Sequence, residues 1–107
     1  MDKQHFFIKL IPPRPTFPQD MTDSEREIMQ RHIGYWKKLV ENRTAIVFGP
    51  VFDPAGGYGM GIVEVTDKEE ANDILANDPT ILANCNCNCN CNFSFEIFPM
   101  RIGMIRE

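Results

Sequence analysis

Apolar residues along the chain recur with two periods, alternating and helical, separated by breaks rich in proline and glycine. Residues 5–11 alternate, so that Phe6, Ile8 and Leu10 share one face of a strand and Phe7, Lys9 and Ile11 the other. Both faces carry apolar weight, which predicts a strand covered on both sides. Pro12-Pro13-Arg14-Pro15 ends it, and the stretch to Asp20 reads as a proline-rich loop. Thr22-Asp23-Ser24-Glu25 has the form of a capping box. The helix it opens carries Ile28, Met29, Ile33, Trp36, Leu39 and Val40 at three-to-four spacing. It closes near Asn42, a residue that tolerates the left-handed conformation.

A second strand, Thr44–Phe48, runs on into Gly49-Pro50-Val51-Phe52, and Asp53-Pro54-Ala55-Gly56-Gly57 has the residues of a hairpin turn. The third strand is Tyr58–Val65. A second capping box, Thr66 to Glu69, opens a shorter helix with Ala71, Ile74 and Leu75 inward, and Asn77-Asp78-Pro79 stops it. Phe93–Phe98 alternates as a last strand, with Pro99 at its exit. The order β-α-β-β-α-β is the ferredoxin-like α+β arrangement, an antiparallel four-stranded sheet with two helices on one face. Two helices cover only one side, so the other face needs a cover. A second copy of the sheet is the simplest one, which predicts a homodimer.

At 107 residues the chain has the size of one domain, residues 1–107. A net charge of −4 and a pI near 5.1 exclude the basic stripe that nucleic acid or an anionic membrane would require. No apolar run approaches the roughly 18 residues of a membrane span. Met1-Asp2-Lys3-Gln4 lacks the layout of a secretion signal, and the cysteines form no spaced disulfide framework, so the cytoplasm is the expected compartment.

All four cysteines, Cys85, Cys87, Cys89 and Cys91, lie in the alternating tract Asn84–Asn92. In a strand, residues two apart are separated by roughly 6.6 Å, whereas four thiolates on one metal must each approach to about 2.3 Å. A disulfide between residues two apart strains the bond geometry. The tract therefore reads first as a low-complexity loop insertion with no resident metal. Soft-metal binding by the thiolates stays open as an added property.

The candidate chemistry lies elsewhere. His32, one turn from Ile28 and from Trp36, sits on or beside the buried stripe of the first helix. It is either a hydrogen-bonded core histidine or a proton carrier. Asp78 is either a helix-terminating Asp-Pro turn or the partner of His32. Both helices lie on the same face of the sheet, and a carboxylate there would fix the histidine tautomer. Asp53 reads first as hairpin chemistry and second as a ligand contact. Arg14, held between prolines, is a solvated loop residue or a guanidinium presented to an anionic ligand. Gly59 and Gly61 leave a bare strip on the third strand, for close approach of a helix or for a ligand. There is no dinucleotide or phosphate-loop glycine motif and no nucleophile elbow.

His32-x-x-Tyr35-Trp36-x-x-Leu39, Gly49-Pro50-Val51-x-Asp53, Val63-Glu64-Val65 and Asp78-Pro79, in this order and spacing, resemble the YciI-like (YCII-related) family. The resemblance implies a dimeric ferredoxin-like α+β barrel with a small pocket between the first helix and the sheet. It also implies a His–Asp pair in acid–base catalysis, here His32 and Asp78. One branch of the family eliminates chloride from a chlorinated ring-degradation intermediate, and related barrels isomerise muconolactones. The expected function is thus cofactor-independent lyase or isomerase chemistry on a small cyclic or carboxylated substrate. His32 would shuttle the proton, Asp78 orient it, and Arg14 bind an anionic group. The alternative is a non-catalytic module binding a small ligand in the same pocket. The cysteine tract makes the link after Asp78-Pro79 longer than the family usually shows.

Overall fold

The computed structural model describes residues 2–83 and 92–106. All of the cysteine tract Asn84–Asn92 except Asn92 lies outside the described residues. The elements in chain order are β1 (Gln4–Ile11), α1 (Phe17–Asp20), α2 (Asp23–Glu41), β2 (Ala45–Val51), β3 (Tyr58–Val65), α3 (Lys68–Ala76), α4 (Pro79–Ala83) and β4 (Ser94–Met100). The strands form one sheet in the order β2-β3-β1-β4, every neighbouring pair antiparallel. This is the ferredoxin-like order. β1 occupies the centre, with Ile8 opposite Gly61 on one side and Ile97 on the other.

The alternation of β1 sets the two faces. Phe6, Ile8 and Leu10 are buried, and Phe6 and Ile8 join Val63, Val65 and Ala45 beneath Trp36 of α2 and Ala71 and Leu75 of α3. Burying a side chain such as Ile8 contributes about 1.5–3 kcal/mol. The pairing of β2 with β3 slips between Ala45 and Val47, leaving Ile46 as the extra residue of a bulge. The bulge puts Ala45 and Phe48, three apart, on the same inner face. Phe48 thereby meets Trp36, with ring centroids 6.2 Å apart.

One expectation is corrected. The sheet is open, and the α+β barrel does not form: β2 and β4 are its two edges. A closed barrel of side chains takes about eight strands, whereas four strands with helices on one side make a two-layer sandwich. Each edge also carries a proline, Pro50 in β2 and Pro99 in β4, of the kind that blunts further strand pairing. Pro99 lies inside β4 rather than at its exit, as an edge strand permits.

Smaller differences sharpen the helices. The Thr22–Glu25 capping box is present in full. The buried stripe of α2, however, runs through Glu25, His32 and Trp36, and leaves Ile33 46% and Val40 37% exposed. At the other end Asn42 has φ −90°, and the left-handed residue is Arg43, at φ 67°. Amides of Arg43 and Thr44 reach back to the carbonyls of Val40 and Leu39, the Schellman pattern. The cap of α3 lies one residue later than expected: Asp67 accepts from the Glu70 amide, and Glu70 reaches back to the amide and hydroxyl of Thr66.

The proline-rich stretch contains α1, with proline in its first turn. Arg14 holds it down. Its guanidinium donates to both Glu25 oxygens, at 2.8 and 2.9 Å, and to the side chain and carbonyl of Asp20, at 2.7 and 3.0 Å. Glu25 is only 3% exposed, and the hydrogen bonds from Arg14 hold its pKa down to about 2, against burial.

Candidate functional site

Asp78 is where the short helices are joined. Its amide donates to Leu75 at the end of α3, and its carbonyl accepts the amides of Ile81 and Leu82 in α4. Pro79 therefore starts a helix instead of only stopping one. With proline at the first helical position, the carboxylate of Asp78 takes the capping place and accepts the Thr80 amide at 2.8 Å. That local logic fixes the carboxylate on the side of α4 that faces α2, where His32 and Trp36 lie one turn apart.

The carboxylate is fully buried and richly bonded. His32 Nδ1 lies 3.0 Å from Oδ1 and 2.9 Å from Oδ2. Trp36 Nε1 donates to Oδ2 at 2.7 Å, and the Thr80 hydroxyl donates to Oδ1 at 2.7 Å. Burial by itself would raise the pKa of Asp78. The hydrogen bond and charge of His32, with the amide and hydroxyl of Thr80, outweigh it and hold the carboxyl below its ordinary value. Asp78 is thus an ionised acceptor. An ionised carboxylate only accepts, so His32 presents Nδ1–H to it, and in the neutral ring the lone pair is on Nε2.

Among the described residues Nε2 has no hydrogen-bond partner, and His32, 9% exposed, lines a cavity of about 200 Å³. Its walls come from β2 (Phe48) and β3 (Gly59), from α2 (Met29) and from the clasped stretch (Phe17) together with Phe93. Phe17 and Phe93 meet edge to face at 5.4 Å, and the Arg14 guanidinium lies 5.4 Å from the Phe17 ring centroid. The clasp of Arg14 on Glu25 and Asp20 therefore holds one wall of the cavity in place.

The bare strip of β3 lies against α2 at one glycine and beside the cavity at the other. A Cβ on Gly61 would lie 2.6 Å from Trp36 Cζ3, so Gly61 is the seat of the indole that reaches Asp78. Gly59 borders the cavity, and a Cβ there would meet Leu10 at 3.4 Å. The structure brings His32, Asp78 and the two glycines together. It places Arg14 and Asp53 in a separate open depression of about 320 Å³. There Asp53 is exposed and caps its own turn by accepting the Ala55 amide at 2.9 Å. Trp36 and Thr80 were not expected as partners of the carboxylate. The signal for Thr80 was present in Asp78-Pro79-Thr80, which has the form of a helix cap, proline and first turn.

Tyr35 ties the helices together, donating to the Ile74 carbonyl at 2.7 Å. Burial, and then the charge of Asp78, raise its pKa. Among the described residues no group of three or more His, Cys, Asp or Glu is placed to hold a metal ion. None of their helices is long and apolar enough to cross a membrane.

An open ferredoxin-like sheet with a buried histidine–carboxylate pair between its helices, the histidine lining a cavity, defines a recognisable class of small α+β protein. The sequence model of the YCII-related domain matches residues 6–91, and the chain belongs to that family. The match includes the cysteine tract and stops short of β4. Searches of curated proteins and of solved structures gave no significant match.

Proposed function

We propose that the chain is a cofactor-independent acid–base enzyme of lyase or isomerase type, acting on a small cyclic substrate in the cavity beside His32. One observation carries the reading: Nδ1 is engaged by an ionised, buried Asp78, while Nε2 has no hydrogen-bond partner among the described residues and the ring lines the cavity. Nε2 takes a proton from the substrate, and the imidazolium so formed is stabilised by Asp78 at 2.9 Å. The same proton returns to a different substrate atom in an isomerisation, or leaves with the departing group in an elimination. Trp36 and Thr80 position Asp78, Gly59 leaves room for the substrate, and Arg14 supports the wall.

The test is turnover on a panel of small cyclic lactones and enols. His32→Asn keeps an N–H near the Nδ1 position and removes Nε2. Turnover should fall by about 10²–10⁴-fold with the fold retained, and a loss under tenfold would contradict the reading. The almost wholly apolar walls favour a second reading, a module that binds a small ligand without converting it. Saturable binding with no product from any bound compound would establish that reading instead.

The same proposal includes a homodimer joined across the outer face of the sheet, where Val47 is 43% and Phe98 47% exposed. Sedimentation as a monomer at micromolar concentration would remove it.

A further inference from the structure

The walls of the His32 cavity restrict what can enter. Among the described residues no Lys, Arg, Asp or Glu lines it, and the only titratable side chains of those residues that do are His32 and Tyr58. Pro12, Pro18 and Pro50, which have no N–H to offer, form part of it. The nearby guanidinium of Arg14 is committed to Glu25 and Asp20 through four hydrogen bonds. An anionic group seated here would lose its water and gain no cation, a loss of several kcal/mol in an apolar site.

Protonating His32 turns Nε2 into a donor but adds no net charge to the pair. The positive charge on the ring is already matched by Asp78, so the pair presents no net charge to the cavity. With the ring neutral, the Nε2 lone pair repels a carboxylate and accepts from a hydroxyl. Size adds a second restriction. A cavity of about 150 Å³ lined by apolar side chains holds benzene, so one of about 200 Å³ takes a single ring with a small substituent.

We infer that the cavity selects an uncharged single-ring compound carrying one hydroxyl, or one comparably acidic C–H, that donates to His32 Nε2, and that it rejects a single-ring carboxylate. The inference rests on the reading of His32 as the group that meets the substrate. It replaces a carboxylated substrate with a neutral one.

Phenol, toluene and benzoate test it on the full chain at pH 8, with benzamide as the neutral control for the size of benzoate. Binding is followed by NMR titration, with the His32 imidazole nitrogens labelled with ¹⁵N. Phenol should bind at least tenfold more tightly than benzoate and shift the Nε2 resonance, while toluene should bind without shifting it. The rim variant Ile33→Lys alters a side chain that is 46% exposed, and so spares the core. By supplying the missing cation it should raise benzoate affinity relative to phenol at least tenfold. Benzoate binding to the unaltered chain as tightly as phenol overturns the inference, as does no binding of phenol or an unchanged ratio in Ile33→Lys. Turnover is not read in this experiment. Failure of the acid–base reading, shown by His32→Asn retaining activity, is therefore seen separately from failure of the ligand class.

Discussion

Gly61→Ala is a one-carbon change that reaches the site through Trp36. The added Cβ would lie 2.6 Å from Cζ3 and 2.8 Å from Cη2 of a rigid indole, against the 3.4 Å at which ordinary contact begins. Either the ring retreats or β3 bends, and overpacking of this kind costs about 1–3 kcal/mol. Retreat also disturbs the 2.7 Å bond from Trp36 Nε1 to Asp78. A hydrogen bond to a charged group contributes about 1.5–3 kcal/mol. Replacing glycine inside a strand returns about 0.5–1 kcal/mol. The net expectation is a loss of about 2–4 kcal/mol, or on the order of 10–20 °C in Tm for a domain of this size.

Gly59→Ala, two residues away on the same strand, is the control. Its Cβ meets Leu10 at 3.4 Å, so its net effect is within about 1 kcal/mol of zero. Urea unfolding followed by fluorescence of the single tryptophan measures both. If the two variants differ by less than about 0.5 kcal/mol, close packing of Trp36 on Gly61 is not what positions the indole.

Two further predictions concern the buried acids. Asp78→Asn places an amide N–H₂ among the donors from His32, Trp36 and Thr80, and should cost about 2–4 kcal/mol by denaturant titration; a loss below about 1 kcal/mol would mean that the carboxylate is not ionised. Glu25 has a folded pKa of about 2 against an ordinary 4.5, so its contribution is present above pH 4.5 and lost as the pH falls towards 2. Discounted for the solvent-facing side of Arg14, that contribution is on the order of 1–3 kcal/mol. Glu25→Gln should flatten the pH dependence of stability between about pH 5 and 2, and an unchanged slope contradicts the clasp.

The strands and the two main helices were legible because their periods are strong: Phe6, Ile8 and Leu10 alternate, and a capping box marks the start of α2. The meeting of His32 with Asp78 followed from topology, since both helices lie on one face of the sheet. Trp36 as a donor to Asp78 was not legible, because an aromatic residue on a helical stripe looks the same whether or not its N–H has a partner. Glu25 was read only as a cap, yet it is also a buried acid. Arg14 does not come within its reach until the proline-rich stretch folds back. Ile33 and Val40 misled because apolar type does not fix which residues of a broad stripe turn inward. Closure of the sheet misled for another reason: an uncovered apolar face shows that something is missing, and does not say that the sheet curls to supply it.

The central claim is that His32 offers a free Nε2 while an ionised Asp78 holds Nδ1–H. Imidazole ¹⁵N NMR of the neutral ring measures this directly. The predicted spectrum has a protonated Nδ1, its proton shifted downfield by the carboxylate, and an unprotonated Nε2 that moves when a hydroxylic ligand is added. A neutral ring protonated at Nε2 would contradict it, because the only lone pair would then face Asp78 and none would face the cavity.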